Sequence, residues 1–134
     1  MRSMSFLLLT AALAACSTAP QPRTAQAEAQ LERLLAGKVA QQPVDCLPTY
    51  RSGDMVVIDD NTILFREGRN RIFRNDLNGG SCTGLGGGHY ALVTKQFGGG
   101  LCRGDIAQVM DVSNGMTVGS CVMGDFVPYT SPKG

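Results

Sequence analysis

Five cysteines constrain the fold of this chain more than any other feature. Cys46, Cys82, Cys102 and Cys121 are spread along the body of the sequence, whereas Cys16 stands alone near the start. An odd number of cysteines cannot all be paired within one chain, so one of them must have a different use. The residues before Cys16 indicate which one it is.

The first fifteen residues have the three parts of a secretory signal peptide. Arg2 supplies a positive charge, residues 6–13 form an apolar core, and Ala14 and Ala15 are small residues suited to cleavage. The apolar core is too short to remain as a transmembrane helix, which needs about 20 residues. We therefore expect residues 1–15 to be removed on export.

The sequence Leu13-Ala14-Ala15-Cys16 resembles the lipobox of bacterial lipoproteins. This resemblance implies that Cys16 becomes the lipid-modified first residue of the mature protein. Several acyl chains form a durable anchor, at about 0.8 kcal/mol per buried CH₂. Ser17 rather than Asp follows the cysteine, which favours attachment to the outer membrane of the bacterial cell envelope, facing the periplasm. The alternative is an ordinary signal peptide followed by a free or disulfide-bonded Cys16.

Without Cys16, four cysteines remain in an exported domain, and this even number indicates two disulfide bonds. The sequence alone allows three pairings. We favour Cys82–Cys102, which would close a local loop, with Cys46–Cys121, which would join the start of the domain to its end. No metal or other cofactor is predicted, because no two cysteines have CxxC spacing and His89 is the only histidine.

The predicted mature chain of 119 residues is long enough for one domain with one core. After removal of Arg2, eleven basic residues balance eleven acidic ones. This balance argues against nucleic acid as a partner and against recruitment to a membrane by charge alone. The predicted membrane attachment therefore depends on the N-terminal lipid.

The mature chain divides into four predicted segments. Residues 16–24 contain two prolines and predict a flexible tether, and residues 25–37 predict a short helix with one apolar face. Short β-branched segments separated by turns fill residues 46–128, which predicts a mainly β fold, a small antiparallel barrel or sandwich of about six or seven strands. Pro128 is expected to end the last strand, and residues 129–134 to form a loose tail.

Four arginines around one predicted hairpin form the best candidate for a partner-binding patch. They are Arg66, Arg69, Arg71 and Arg74. We expect Asp54, Asp59 and Asp60 to supply their cross-strand ion-pair partners. Such a patch suits an anionic partner in the envelope, such as lipopolysaccharide phosphate, peptidoglycan carboxylate or an envelope protein. The interpretation that we favour for these arginines is a solvated, partly paired face, and the partner-binding patch is the alternative.

The residues of the usual catalytic constellations are missing. His89 is the only histidine, no serine lies in a nucleophile-elbow pattern, and the cysteines are better used in disulfides. We therefore expect a non-catalytic binding or structural module, with no catalytic residues. One alternative is a lipoprotein inhibitor of a secreted hydrolase such as lysozyme or a protease, with residues 76–88 as its protruding loop. The other is a small periplasmic enzyme.

From Cys46 to Phe126 the chain resembles a family of uncharacterised proteobacterial lipoproteins. The motifs that carry the resemblance are Val57-Ile58-Asp59-Asp60-Asn61-Thr62, Arg74-Asn75-Asp76-Leu77, Cys82-Thr83-Gly84-Leu85, Leu101-Cys102-Arg103-Gly104-Asp105-Ile106 and Gly119-Ser120-Cys121 with the residues up to Phe126. The resemblance implies a disulfide-tied domain behind a lipid anchor. It implies no activity and no catalytic or binding residue.

Overall fold

The computed structural model describes residues 22–47, 54–78, 82–95 and 100–133. The predicted signal peptide, the predicted lipidation site Cys16 and most of the predicted tether lie outside the described residues. The described part has one α-helix and ten strands in three antiparallel sheets, arranged like a sandwich and not as a closed barrel. This confirms the predicted fold class, with more strands than the sequence indicated.

The helix α1 spans Ala25–Leu35, close to the predicted range. Thr24 caps its start, because the Thr24 hydroxyl accepts a hydrogen bond from the Ala27 N–H at 3.2 Å. Ala27 and Leu31 are buried, and they pack against the large sheet. The helix therefore belongs to the folded domain and does not lengthen the tether.

Ten strands follow the helix in chain order, several of them only two or three residues long. They are β1 Val39–Ala40, β2 Cys46–Leu47, β3 Met55–Val57, β4 Thr62–Glu67, β5 Arg71–Asp76, β6 Tyr90–Thr94, β7 Leu101–Cys102, β8 Ile106–Asp111, β9 Thr117–Val122 and β10 Phe126–Thr130. The large sheet has the order β1-β10-β5-β4-β3, and the small sheets are β2-β7 and β6-β8-β9.

The large sheet is covered on both faces, because side chains on a strand alternate between them. Leu64 and Ile72 face α1. Phe65 and Phe126 face the two small sheets, with their ring centroids 5.8 Å apart, and pack in one core with Val109 of β8. The domain therefore has three layers: the helix, the large sheet, and the pair of small sheets.

Two disulfides are present, as predicted, but the pairing that we favoured from the sequence was wrong. Cys46 is bonded to Cys102, and Cys82 is bonded to Cys121. The strands β2 and β7 pair antiparallel with Cys46 directly opposite Cys102. Cys82 and Cys121 are both buried in the main core. The pairing thus follows from strand contacts between segments that are distant in sequence, which spacing along the chain does not reveal.

Pro128 does not end the last strand, which continues to Thr130 and takes in the first two residues of the predicted tail. The Pro128 carbonyl accepts a hydrogen bond from the Gln41 N–H at 2.7 Å, so this residue directs its backbone polar groups away from β5. Its missing N–H therefore removes no bond from the β10–β5 ladder. Proline is tolerated here because it faces the short edge strand β1.

Candidate functional site

Two polar surfaces lie at opposite ends of the large sheet. The helix α1 runs the length of this sheet, from Arg23 beside Asp59 to the region of Val39, which pairs with Thr130. We call the end that contains Arg23 and Asp59 the near end. The end that contains the β4–β5 turn and the last residues of β10 is the far end.

At the near end, Arg23 ties the start of α1 to the sheet. Its guanidinium donates to the Asp59 carboxylate at 2.6 Å, to the Thr62 hydroxyl at 2.6 Å and to Glu28 at 3.2 Å. Burial alone would lower the pKa of Arg23, but the hydrogen bonds to Asp59 and Glu28 outweigh it and raise the pKa. Arg23 is therefore a permanently charged connection between the helix and the sheet.

Asp60 binds the glycine-rich segment that follows Cys82. Its carboxylate accepts the N–H groups of Gly84 at 3.0 Å and Gly86 at 2.8 Å, and its carbonyl accepts the Cys82 N–H at 2.8 Å. Gly84 has a φ of +89°, and a Cβ there would come within 2.9 Å of the Tyr90 ring. The glycine segment is thus an anion-binding loop whose anion is a carboxylate of the protein itself.

A cleft of about 360 Å³ lies between the start of α1 and this loop. Pro22, Arg23, Asp59, Asp60 and Gly87 contribute to its walls. Its charged groups already have internal partners, as the bonds of Arg23 and Asp60 show. The charged groups that line the cleft therefore hold the domain together and are poorly suited to bind a charged ligand.

At the far end, an open pocket of about 450 Å³ has a different character. Its walls are formed by Glu67, Arg69, Asn70, Arg71, Thr130, Ser131 and Lys133. Arg71 donates to Glu67 at 3.1 Å and lies 5.7 Å from the centroid of the Phe73 ring. Arg69 and Lys133 form no ion pair with another described residue. The pocket therefore carries three cationic side chains and one carboxylate, together with the amide and hydroxyl groups of its other lining residues.

The structure divides the four arginines of the predicted patch. Arg69 and Arg71 line the far-end pocket. Residues two apart on a strand share a face. Arg66 follows Leu64 by two residues and Arg74 follows Ile72 by two, so both arginines project from the face that carries α1. Arg74 is paired with Asp76, with 2.9 Å between the Arg74 Nε and the carboxylate. Only half of the predicted patch therefore contributes to one pocket.

The ion-pair partners that we expected for these arginines were wrong. Asp59 bonds to Arg23, and Asp60 bonds to Gly84 and Gly86. Asp54 forms no ion pair with any other described residue. For Asp59 and Asp60 the reason is the direction of the strands: the β3–β4 turn that carries them lies at the near end, a whole strand length from the arginine-bearing turn at the far end.

Other carboxylates also stabilise turns. Asp105 accepts the Cys102 N–H at 2.7 Å, and Asp111 accepts the Ser113 N–H at 2.8 Å. The hydrogen bonds from the Ser113 hydroxyl and N–H lower the pKa of Asp111. Across the described ranges, no group of three or more His, Cys, Asp or Glu side chains is placed to hold a metal ion.

Two features of the described structure were not predicted from the sequence. The first is Asn75, whose buried side chain bonds to the backbone of Gly124. The second is the exposure of two large apolar side chains, Val112 and Met116, beside the turn between β8 and β9. Two sequence features could have indicated them. Asn75 is a polar residue at an inward-facing position of β5, and large apolar residues stand on both sides of Asn114-Gly115.

Comparison with known proteins adds nothing to this geometry: no protein-family model, curated protein or solved structure matches the chain. The resemblance to proteobacterial lipoproteins therefore stays a prediction, consistent with the two disulfides and the small β domain. In the ranges that the structure describes, no helix has the length and apolar character needed to cross a membrane.

Proposed function

We propose that this protein is a lipid-anchored, non-catalytic binding module of the bacterial cell envelope. In this proposal Cys16 holds the chain at the outer membrane, facing the periplasm. The far-end pocket then binds a carboxylate or phosphate group of an envelope polymer, either peptidoglycan or lipopolysaccharide.

The observation that carries this proposal is the charge of the far-end pocket. Arg69, Arg71 and Lys133 face a single carboxylate, that of Glu67, in a domain whose mature charge is balanced. An excess of two positive charges in one concave surface attracts anions. Arginine also has the planar set of donors that matches a carboxylate or a phosphate.

The position of the pocket also supports the proposal. The described chain begins beside the near end, where Arg23 is bonded to Asp59. An anchor attached through the preceding residues would hold the near end toward the membrane. The far-end pocket would then be presented away from the membrane, toward other components of the envelope.

The inhibitor alternative receives less support from the described residues. Its candidate loop, residues 76–88, was expected to protrude. Cys82 and Leu85 are buried in the core instead, and Gly84 and Gly86 are bonded to Asp60. Within its described residues, less of this loop is therefore free to protrude than the inhibitor hypothesis expects.

The proposal can be tested by sedimentation with purified peptidoglycan and, separately, with lipopolysaccharide. We expect the mature protein to bind one of them, and the double substitution Arg69→Ala with Lys133→Ala to weaken binding by about tenfold or more, because two charge-assisted contacts are lost. The matched control is Arg33→Ala with Lys95→Ala, which removes the same charge from exposed sites outside the pocket. Equal loss in both double variants, or binding to neither polymer, would contradict an anion site at the far end.

The anchor is tested separately with Cys16→Ser. We expect this variant to accumulate as an unprocessed precursor without lipid, detected by mass spectrometry of the membrane fraction. Normal processing of the variant would show that Cys16 is not the lipidation site.

A further inference from the structure

The turn between β8 and β9 exposes three large apolar side chains within seven residues. Val112 and Met116 are each 65% exposed, and Val118 is 50% exposed. The stretch from Val112 to Val118 contains no charged residue. We call residues 111–118 the hairpin tip. Single exposed apolar residues are common, but three of them within the uncharged stretch 112–118 can form a contact surface.

Most backbone N–H groups of the hairpin tip are already hydrogen-bonded within the domain, which lowers the cost of contact with a surface of low polarity. Five of its N–H groups already donate to acceptors within the domain: those of Asp111, Val112, Ser113, Gly115 and Met116. The Asp111 carboxylate is held by the N–H and hydroxyl of Ser113, at 2.8 and 2.6 Å. Entry into an apolar environment is costly for unpaired backbone groups, and these five N–H groups already have acceptors.

A series of contacts links the hairpin tip to the place where the described chain begins. Pro22 and Gly87 line the same near-end cleft. His89 follows Gly87 by two residues, and its carbonyl accepts the Val112 N–H at 3.3 Å. A short connected path therefore joins the start of the described chain to the exposed apolar turn.

The length of the chain before Pro22 limits how far this region can be from a membrane anchor. Five residues lie between Cys16 and Pro22, so six residue steps join them. Even fully extended at about 3.6 Å per residue, they span at most about 22 Å. A lipid on Cys16 would thus keep the near end, and the hairpin tip beside it, close to the bilayer surface.

We propose that the hairpin tip rests on the lipid bilayer that holds the anchor, with Val112, Met116 and Val118 inserted at the interface. This inference rests on the lipid anchor at Cys16 proposed above. The contact fixes the orientation of the domain, so that the far end points away from the membrane. Because the stretch 112–118 is uncharged, the contact depends on apolar burial and not on anionic lipid.

The chain contains no tryptophan, so a single introduced tryptophan reports on its own position. We would place Val112→Trp and, separately, Met116→Trp in the full-length lipidated protein. The matched control is Val39→Trp, which replaces an exposed valine, 54% accessible, at the far end. Each protein is reconstituted into vesicles of equal parts phosphatidylethanolamine and phosphatidylglycerol, with and without brominated acyl chains. Flotation of the vesicles measures the anchor independently of the fluorescence.

We expect all three proteins to float. Bromine should quench the tryptophans at positions 112 and 116 at least about twofold more than that at 39, because interfacial side chains lie about 5–10 Å into the headgroup and acyl boundary. Replacing phosphatidylglycerol with phosphatidylcholine should leave this difference unchanged.

If the proteins float without selective quenching, the anchor stands and the bilayer contact is wrong. Blue-shifted emission at 112 without bromine quenching would mean that a second copy of the chain or another protein covers the tip, and would also overturn the inference. Failure to float would refute the anchor and the bilayer contact together.

Discussion

The side chain of Asn75 forms two hydrogen bonds with the backbone of Gly124, as if it were another peptide group. Its Nδ2 donates to the Gly124 carbonyl at 2.8 Å, and its Oδ1 accepts the Gly124 N–H at 2.9 Å. Asn75 is completely buried. The two bonds hold the segment between β9 and β10 at the start of β10, where two of the sheets meet.

We expect Asn75→Ala to be strongly destabilising. It would leave a buried donor and a buried acceptor of Gly124 without partners, at about 1–3 kcal/mol for each group. The expected loss in the free energy of unfolding is about 2–6 kcal/mol, measured by urea denaturation of the oxidised protein. Asn70→Ala, at an exposed turn, should change it by less than about 0.5 kcal/mol. Similar values for the two variants would show that the Asn75 bonds contribute little.

Gly124 should not tolerate any side chain. A Cβ at this position would overlap the backbone carbonyl of Asp76, which cannot move without displacing the end of β5. We expect Gly124→Ala to cost about 2–3 kcal/mol, by the mechanism of overpacking. Gly119→Ala is the matched control, because a Cβ there meets no atom within 4 Å. Thermal unfolding should separate the two variants clearly; a melting temperature for Gly124→Ala equal to that of Gly119→Ala would mean that β5 and β10 can move apart at little cost.

The two disulfides should differ in their contribution to stability even though they close loops of similar length. The sequence separations are 56 and 39 residues, for which chain entropy gives about 4 kcal/mol each. Cys82 and Cys121 are buried in the core, whereas Cys46 is exposed. We therefore expect Cys82→Ala with Cys121→Ala to be the more destabilising pair, because it also removes core packing.

Urea denaturation of both double variants measures this difference. Peptide mapping without reduction should recover the Cys46–Cys102 and Cys82–Cys121 peptides from the unmodified protein. Recovery of a Cys82–Cys102 peptide would contradict the pairing. Greater destabilisation by the Cys46 and Cys102 double variant would contradict the role assigned to core packing.

The parts of this fold that the sequence predicted are those formed by local patterns. The apolar face of residues 25–37 predicted α1, and short β-branched segments separated by turns predicted the mainly β region that contains β4, β5, β8 and β9. The two-residue strands β2 and β7 were missed, because their pairing joins segments more than fifty residues apart. The disulfide pairing failed for the same reason, since it depends on that contact.

The candidate site was predicted only in part, for a related reason. Strand alternation alone places Arg71 and Arg74, three residues apart on β5, on opposite faces of the sheet. It could not predict that Lys133 lies beside Arg69, because that contact depends on β10 lying next to β5. The role of Asp60 was also hidden, since its partners Gly84 and Gly86 lie more than twenty residues later in the chain.

Asp60 should be required for order in the glycine segment. In Asp60→Ala the N–H groups of Gly84 and Gly86 lose their charged acceptor, which costs about 1–3 kcal/mol in total because hydrogen bonds to charged groups are the stronger ones. We expect faster hydrogen exchange at both amides and a smaller change elsewhere. Asp54→Ala removes the same charge one residue before β3 and should leave these two amides protected. Unchanged exchange in Asp60→Ala would show that the segment is held by the disulfide and by Leu85 alone.

The pKa of Asp111 reports on the structure of the hairpin tip. The hydroxyl of Ser113 and its N–H stabilise the ionised carboxylate and lower the pKa of Asp111. Because the folded-state pKa lies below the unfolded one, this interaction favours the folded state above the ordinary carboxyl pKa, and its contribution is lost as the pH falls through the lowered value.

We expect Ser113→Ala to raise the pKa of Asp111 toward its ordinary value, measured by NMR titration of the side-chain carboxyl carbon. Ser120→Ala, on β9 outside the turn, should leave it unchanged. If Ser113→Ala does not move the Asp111 titration, the turn bonds seen between Asp111 and Ser113 do not persist in solution, and the hairpin tip lacks the preformed backbone that a contact with lipid requires.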